Sequence, residues 1–384
     1  MLLIKKEEEI EMVHDNYVHK TETLEYNFFL KKEKVSFILS VFVVCIHASS
    51  FGQYNLEGLT IVQTMLIEFF NVFLRKSFVL IAVPLFFILS GATFFRDYTN
   101  ETFLNKIKRR IHTLIIPYLI WNIFAMLFDI ITSYSFISNY FKGREKFEIT
   151  LGNILNAIFH YGCNGPFWFI FALICFMFIS PVIYLLIRNK YIGLGTIAVL
   201  IILDHFNIVI PGWLILDSKS IIFYFLGCWI GKNAISGFEQ RTTEKKSAWA
   251  CLVFVVCVCS LIGIYYIDIW AEYTLQIFIL IAGALAFWVG YDKFDRWIPY
   301  CSYFSYSFLI FAMHKNILSV IIKCIYIVFP KKAYMIPLNF FISVLATIYV
   351  IALFATIVRK ISPKTYSILS GGRAGSSQNA RGTE

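Results

Sequence analysis

Charged side chains are scarce in this chain. Asp, Glu, Lys and Arg make up 15% of its 384 residues, against about 25% in soluble domains, which leaves no room for a large solvated domain. The nine cysteines show no paired spacing of the disulfide or zinc kind. They read as small hydrophobes, and Cys257-x-Cys259 is too isolated to argue for a metal. The first 34 residues lack a small-residue cleavage pattern, so 1–34 is expected to be a cytoplasmic extension rather than a leader. No internal repeat suggests a transporter built from two halves. Acidic residues number 24 against 34 basic ones, a net charge of +10. The bases are spread over short loops between apolar runs, so membrane topology explains the excess and nucleic acid does not.

What the sequence has in quantity is apolar and aromatic residues: 59% hydrophobic, 18% aromatic, with 40 Phe and 22 Tyr. Runs of roughly 20 such residues match the thickness of a bilayer's hydrocarbon core. The expected fold is an all-α polytopic membrane protein of about ten spans over residues 35–358. The spans are drawn at about Val35 to Phe51, Phe78 to Phe95, Ile111 to Ile131, Phe167 to Ile187 and Ile192 to Ile210. They continue at about Ile221 to Ile230, Trp249 to Ile267, Tyr273 to Tyr291, Tyr303 to Phe329 and Pro337 to Val358. Leu151 to Tyr161 reads as an interfacial or re-entrant helix. This scheme puts both termini in the cytoplasm and 24 of the 34 Lys and Arg in cytoplasmic segments, the asymmetry expected of a membrane protein. Residues 359–384 read as a disordered cytoplasmic tail. Lys315 and Lys323 fall inside a span and call for snorkelling, a carboxylate partner or a cavity.

His47, near the end of the run SFILSVFVVCIHASS, is the leading functional candidate. An ionisable group at membrane depth is costly to desolvate and usually faces a protein interior or a water-filled cavity. Neutral imidazole, with a reference pKa of about 6.5, is also the usual base for removing a hydroxyl proton. His314 is a second intramembrane imidazole. Both also admit a plain packing role, as a hydrogen-bonded histidine within the bundle. Glu68, Asp129, Asp204, Asp268 and Glu272 are the candidate carboxylate partners.

Several stretches, in order, resemble the acyltransferase-3 family of integral membrane acyltransferases across most of 35–358. They are FVVCIH ending at His47, VPLFFILSG from Val83 to Gly91, and FLNKIKRRIHTLIIPYLIW from Phe103 to Trp121. NGPFWFIFALI from Asn164 to Ile174 and YSFLIFAMH from Tyr306 to His314 follow. The family's first-helix histidine usually follows an arginine by about eleven residues; Ser36 stands near that position, and Lys34 and Arg75 are possible substitutes.

The resemblance implies a membrane O-acyltransferase of the cell-surface polysaccharide O-acetyltransferase kind. It would move an acyl group, acetyl by first expectation, from cytosolic acyl-coenzyme A to a hydroxyl of a cell-surface glycan or lipid-linked glycan precursor. No cofactor is expected beyond acetyl-CoA or another acyl-CoA as co-substrate, and no metal. His47 would be the catalytic base and His314 would orient substrate or bind the thioester. Arg109 and Arg110 would hold the donor's phosphates, because guanidinium groups match phosphate geometry, though a basic cluster also anchors topology. Ser90 would donate to a carbonyl or bond back to its own helix, and Trp168 would stack on a sugar or sit in the aromatic belt. The expected setting is the bacterial inner membrane, with the lipid bilayer and glycan-assembly proteins as further partners. A glycan or small-molecule transporter, or an inactive scaffold of the same fold, are the alternatives.

Overall fold

The computed structural model describes residues 28–48, 57–99, 101–134, 146–206, 208, 218–267, 272–329 and 332–372. Among the described residues every regular element is helical. Helix α1 covers 28–47. It is followed by α2 (Ile61–Arg75), α3 (Ala82–Phe95), α4 (Phe103–Arg110), α5 (Ile116–Tyr134), α6 (Leu151–Phe159), α7 (Trp168–Phe178), α8 (Ser180–Ile187) and α9 (Lys190–His205). Then come α10 (Ser218–Asn233), α11 (Ile235–Glu239), α12 (Glu244–Ile267), α13 (Glu272–Gly290), α14 (Ser307–Val328), α15 (Ile336–Ile361) and α16 (Pro363–Leu369).

Among the described residues six helical stretches are apolar and long enough to cross a bilayer, and the bent pair α7 and α8 makes up to seven. The protein is therefore a multi-pass membrane protein. Helices α9 and α10 have 16 residues each, and α1 carries Lys31, Lys32, Glu33 and Lys34 in its first two turns. The run Phe167 to Ile187, expected as one span, is broken: α7 and α8 meet at 69°. Pro181, lacking an N–H, sits at the start of α8 and begins a new helix there. The tail expected to be unstructured from 359 onward is also partly folded. Helix α16 buries Tyr366 against Tyr306, and Trp121 Nε1 donates to Leu369 O at 3.0 Å. Residues 373–384 lie outside the described part.

The core centres on α3, most of whose side chains are buried. Its partner α10 approaches closely because small residues line the contact. A Cβ on Gly91 would lie 2.5 Å from Tyr224 O, one on Gly231 would lie 2.5 Å from Ala92 O, and one on Gly227 would strike the Ile88 backbone. Helices in lipid gain their packing through such close backbone contact, since water drives little of it.

Helix α1 is fixed at one end by ion pairs and along its length by packing. Lys31 pairs with Asp292 and Lys34 with Asp295, each at 2.8 Å, and Lys34 also donates to Ile298 O. Further along, Ser40 Oγ donates to Ser307 O at 2.9 Å, tying α1 to α14. The helix carrying these lysines thus begins at a basic end of the bundle, and His47 is carried towards the opposite, far end.

Candidate active site

The far end of α1 brings His47 beside His314, with ring centroids 5.2 Å apart and planes tilted by 37°. His47 is exposed; His314, in the second turn of α14, is 0% exposed. His314 Nδ1 lies 2.7 Å from Phe311 O. A carbonyl only accepts, so Nδ1 carries the hydrogen in the neutral ring and Nε2 is left with a lone pair. That Nε2 is buried with no hydrogen-bond partner among the described residues.

Two cations lie close to the pair, Arg75 through its bond to the carbonyl of Ile46 and Lys315 as the neighbour of His314 on α14. Lys315 follows His314 on α14 and donates to Cys163 O at 3.0 Å. Arg75 ends α2; its Nε donates to Ile46 O at 3.5 Å and its Nη1 to Asn71 Oδ1 at 3.3 Å. Of the carboxylates considered as partners, Asp129 lines a groove at the far end, Asp204 accepts from Ser218, and Asp268 lies outside the described residues.

Helix α2 was absent from the expected spans, which left 52–77 as a loop. The missed signal is Thr60-Ile-Val-Gln63: the Thr60 side chain accepts from Gln63 N, and the Gln63 side chain reaches back to Thr60 N. This reciprocal cap ahead of an apolar run marks a helix start, and it is that helix which delivers Arg75. Lys34 is 4% exposed and bound to Asp295 at the basic end, about 20 Å along α1 from His47 at 1.5 Å per residue.

At the basic end, a pocket of about 440 Å³ is lined by Lys32, Arg96, Lys106, Arg109 and Arg110, with Asp97 the acidic residue and Gly371 and Gly372 closing one side. The bases differ in what they do. Arg96 pairs with Glu239 at 3.0 Å, and Lys106 donates to Phe94 O and Arg96 O at the end of α3. Arg109 and Arg110 form no ion pair among the described residues and face the pocket. Arg110 is the last residue before a π-helical turn, Ile111–Ile115. That wide turn lies just ahead of Pro117, which has no N–H to give the carbonyl of Thr113.

A narrower cavity of about 110 Å³ lies next to this mouth and shares Lys32 and Arg110 with it. Its walls are the apolar faces of α3, α7 and α14 with the hydroxyl residues Ser36, Ser40, Ser90 and Ser307 between them. It reaches Phe311, whose ring is 6.0 Å from that of His314. Of the expected site residues, Arg109 lines the mouth, Arg110 lines both cavities, Ser90 lines the narrow one, and His314, next to Phe311 at its wall, stands beside His47. Trp168 is half-buried, with its ring 5.9 Å from that of Phe87.

A basic mouth, a narrow hydroxyl-bearing cavity and an imidazole pair with one ring buried and one exposed can bind an anionic group, take a slender arm and move a proton. The acyltransferase-3 family model, described as an acyltransferase domain, matches residues 37–356 of the chain. The chain is 23% identical over 332 residues to the succinoglycan biosynthesis protein ExoH of Rhizobium meliloti (strain 1021), covering 82% of this chain and 85% of that protein. No solved structure matches.

Proposed function

The chain belongs to the acyltransferase-3 family, and from that premise we propose that it transfers an acyl group, acetyl in the first instance, from acyl-coenzyme A to a hydroxyl of a cell-surface glycan or its lipid-linked precursor. The observation that carries the reading is that the basic mouth and the narrow cavity are neighbours that share Lys32 and Arg110. A coenzyme A fits that shape in parts: phosphates at Arg109 and Arg110, and the slender pantetheine arm along the serine-lined channel towards the histidines. Ser36 lies in this channel beside Arg110, so Arg110 supplies from α4 the guanidinium that relatives carry on the first helix. The similarity to a succinoglycan biosynthesis protein supports a polysaccharide as the acceptor class.

The basic end faces the cytoplasm of a bacterial inner membrane, in keeping with the concentration of Lys and Arg there. With α1, α9 and α10 added to the seven apolar spans, ten crossings put both termini on that side. The acyl group then crosses the membrane attached to the pantetheine arm, without diffusing free.

His47 removes the acceptor's hydroxyl proton as its oxygen attacks the thioester carbonyl. The C–S bond breaks as the C–O bond forms, and the proton passes to the departing sulfur, giving free coenzyme A thiol and an ester. The lone pair of His314 Nε2 accepts from the N–H of His47 and turns its other nitrogen towards the acceptor, the orienting part that a carboxylate plays in a Ser-His-Asp triad. Arg75 and Lys315 place positive charge where the tetrahedral oxyanion develops.

The test is thiol release by purified protein given acetyl-coenzyme A and surface glycan. His47→Ala should lower the rate by about 10²–10⁴-fold, the size of a lost general base, with an unchanged melting temperature. A fully active His47→Ala variant would remove His47 from the mechanism.

A further inference from the structure

At the far end, α5, α6 and α14 enclose an open groove of about 970 Å³, at the upper end of the range for ligand pockets of about 300–1,000 Å³. Lys315 is the link between this groove and the histidine pair, since it lines the groove and directly follows His314 on α14.

Its walls are held in place by hydrogen bonds. Tyr134 Oη donates to Phe147 O at 2.8 Å, and Asn153 Nδ2 donates to Glu148 O at 2.9 Å. On the α5 side, Tyr118 Oη and Asn122 Nδ2 donate to Phe159 O and Ile158 O, satisfying the last carbonyls of α6. After α6 the chain makes a strained turn in which Tyr161 adopts φ +53°. A Cβ on the next residue, Gly162, would lie 2.7 Å from Asn156 Nδ2, so only glycine lets that amide rest there. A non-glycine residue in the left-handed region costs about 1–3 kcal/mol and persists where surrounding structure enforces it, often at ligand sites. The turn presents Cys163 O to Lys315.

After the turn, Asn164 is 2% exposed and its Nδ2 lacks a hydrogen-bond partner among the described residues. Its segment is held to α14 by the Lys315 to Cys163 bond and by the stacking of Phe167 on Phe311. An amide donor needs an acceptor, and a sugar hydroxyl oxygen accepts.

The charges lining the groove balance, with Asp129 and Glu148 against Lys146 and Lys315. An anionic polymer would meet the two carboxylates and a cationic one the two ammoniums, while a neutral chain meets neither penalty. Tyr134 and Phe147 add aromatic surface for the apolar faces of sugar rings.

We infer that this groove is the acceptor site and that it takes a neutral glycan, one of whose hydroxyls enters past Lys315 to the histidine pair. The inference rests on the acyltransferase reading but is tested without any acyl donor. The full chain in detergent is titrated calorimetrically with neutral tetrasaccharides of glucose and of galactose, and with a tetrasaccharide of uronic acid. At least one neutral sugar should bind, and the uronic acid about tenfold more weakly. Asn153→Ala with Asn156→Ala, and separately Gly162→Ala, should each weaken the neutral sugar about tenfold, the size of one or two lost hydrogen bonds. Affinity for coenzyme A, titrated on the same samples, reports that each variant is folded. Equal binding to wild type and both variants, tighter binding of the uronic acid, or no binding of either neutral sugar would overturn the assignment. Thiol release in the separate donor assay would still stand in any of those cases.

Discussion

The imidazoles of His47 and His314 lie 5.2 Å apart on two helices that Ser40 and Ser307 join by a buried hydrogen bond. The ring bonded to Phe311 O is the fully enclosed one, so its tautomer is set by the backbone while His47 remains open to the far end.

This division of labour makes His314 distinguishable from a packing residue. His314→Ala should lower kcat by about 10²-fold while leaving the KM for acyl-coenzyme A nearly unchanged. His314→Gln, whose amide oxygen can still accept from His47, should recover part of the loss. Equal kcat values for the two variants in a steady-state thiol assay would argue that no such hydrogen bond operates.

The donor mouth separates facing arginines from structural bases. Replacing Arg109 and Arg110 together by Ala should raise the dissociation constant for coenzyme A by about 10–100-fold, as expected for two charge-assisted contacts of about 1.5–3 kcal/mol discounted for exposure. Lys108→Ala, at a position outside the pocket lining, should change it by less than about twofold. Titrations at low and high salt check both expectations, and the arginine effect should shrink as salt rises.

Ser36 and Arg110 line one narrow cavity, so their charges should be exchangeable. Arg110→Ser should weaken the donor, and adding Ser36→Arg in that background should restore part of the affinity. Ser36→Arg alone should instead obstruct a channel of about 110 Å³ and lower kcat/KM for the donor. The double-mutant cycle reads the coupling directly; strict additivity would mean the two positions act separately.

Packing between α3 and α10 predicts a sharp contrast between two glycines. Gly227→Val places side-chain atoms against the Ile88 backbone and should cost about 1–3 kcal/mol or more, seen as a lower melting temperature and poorer accumulation. Gly195→Ala, where a Cβ meets nothing within 4 Å, should be neutral or slightly stabilising, by about 0.5–1 kcal/mol from helix propensity. Thermal unfolding of both variants in one detergent checks the pair.

Much of the site was readable as residue types but not as places. His47 and His314 stood out because imidazoles inside apolar runs are conspicuous, and Arg109 and Arg110 because they cluster. Lys315 looked misplaced in a span and proved to bridge the pair and the far groove. Arg75 stood out without a location, because no expected span covered the helix that carries it, Ile61–Arg75. Local hydropathy could not reveal the break between α7 and α8 either: both halves are strongly apolar, and Pro181 at the start of α8 was the one local sign of it.

By itself the sequence determined that this chain lives in a membrane as a helical bundle, because apolar run length and scarcity of charge act locally and leave few alternatives. It also determined the chemistry available, two imidazoles and a basic cluster among inert neighbours. Only the tertiary structure decided which of these meet. The crossing of α1 with α14 pairs the histidines, the hydrogen bond to Phe311 O selects the tautomer, and the turn ending at Cys163 gives Lys315 its position. Each of these contacts joins segments far apart in the chain, and no local periodicity encodes the distance between them.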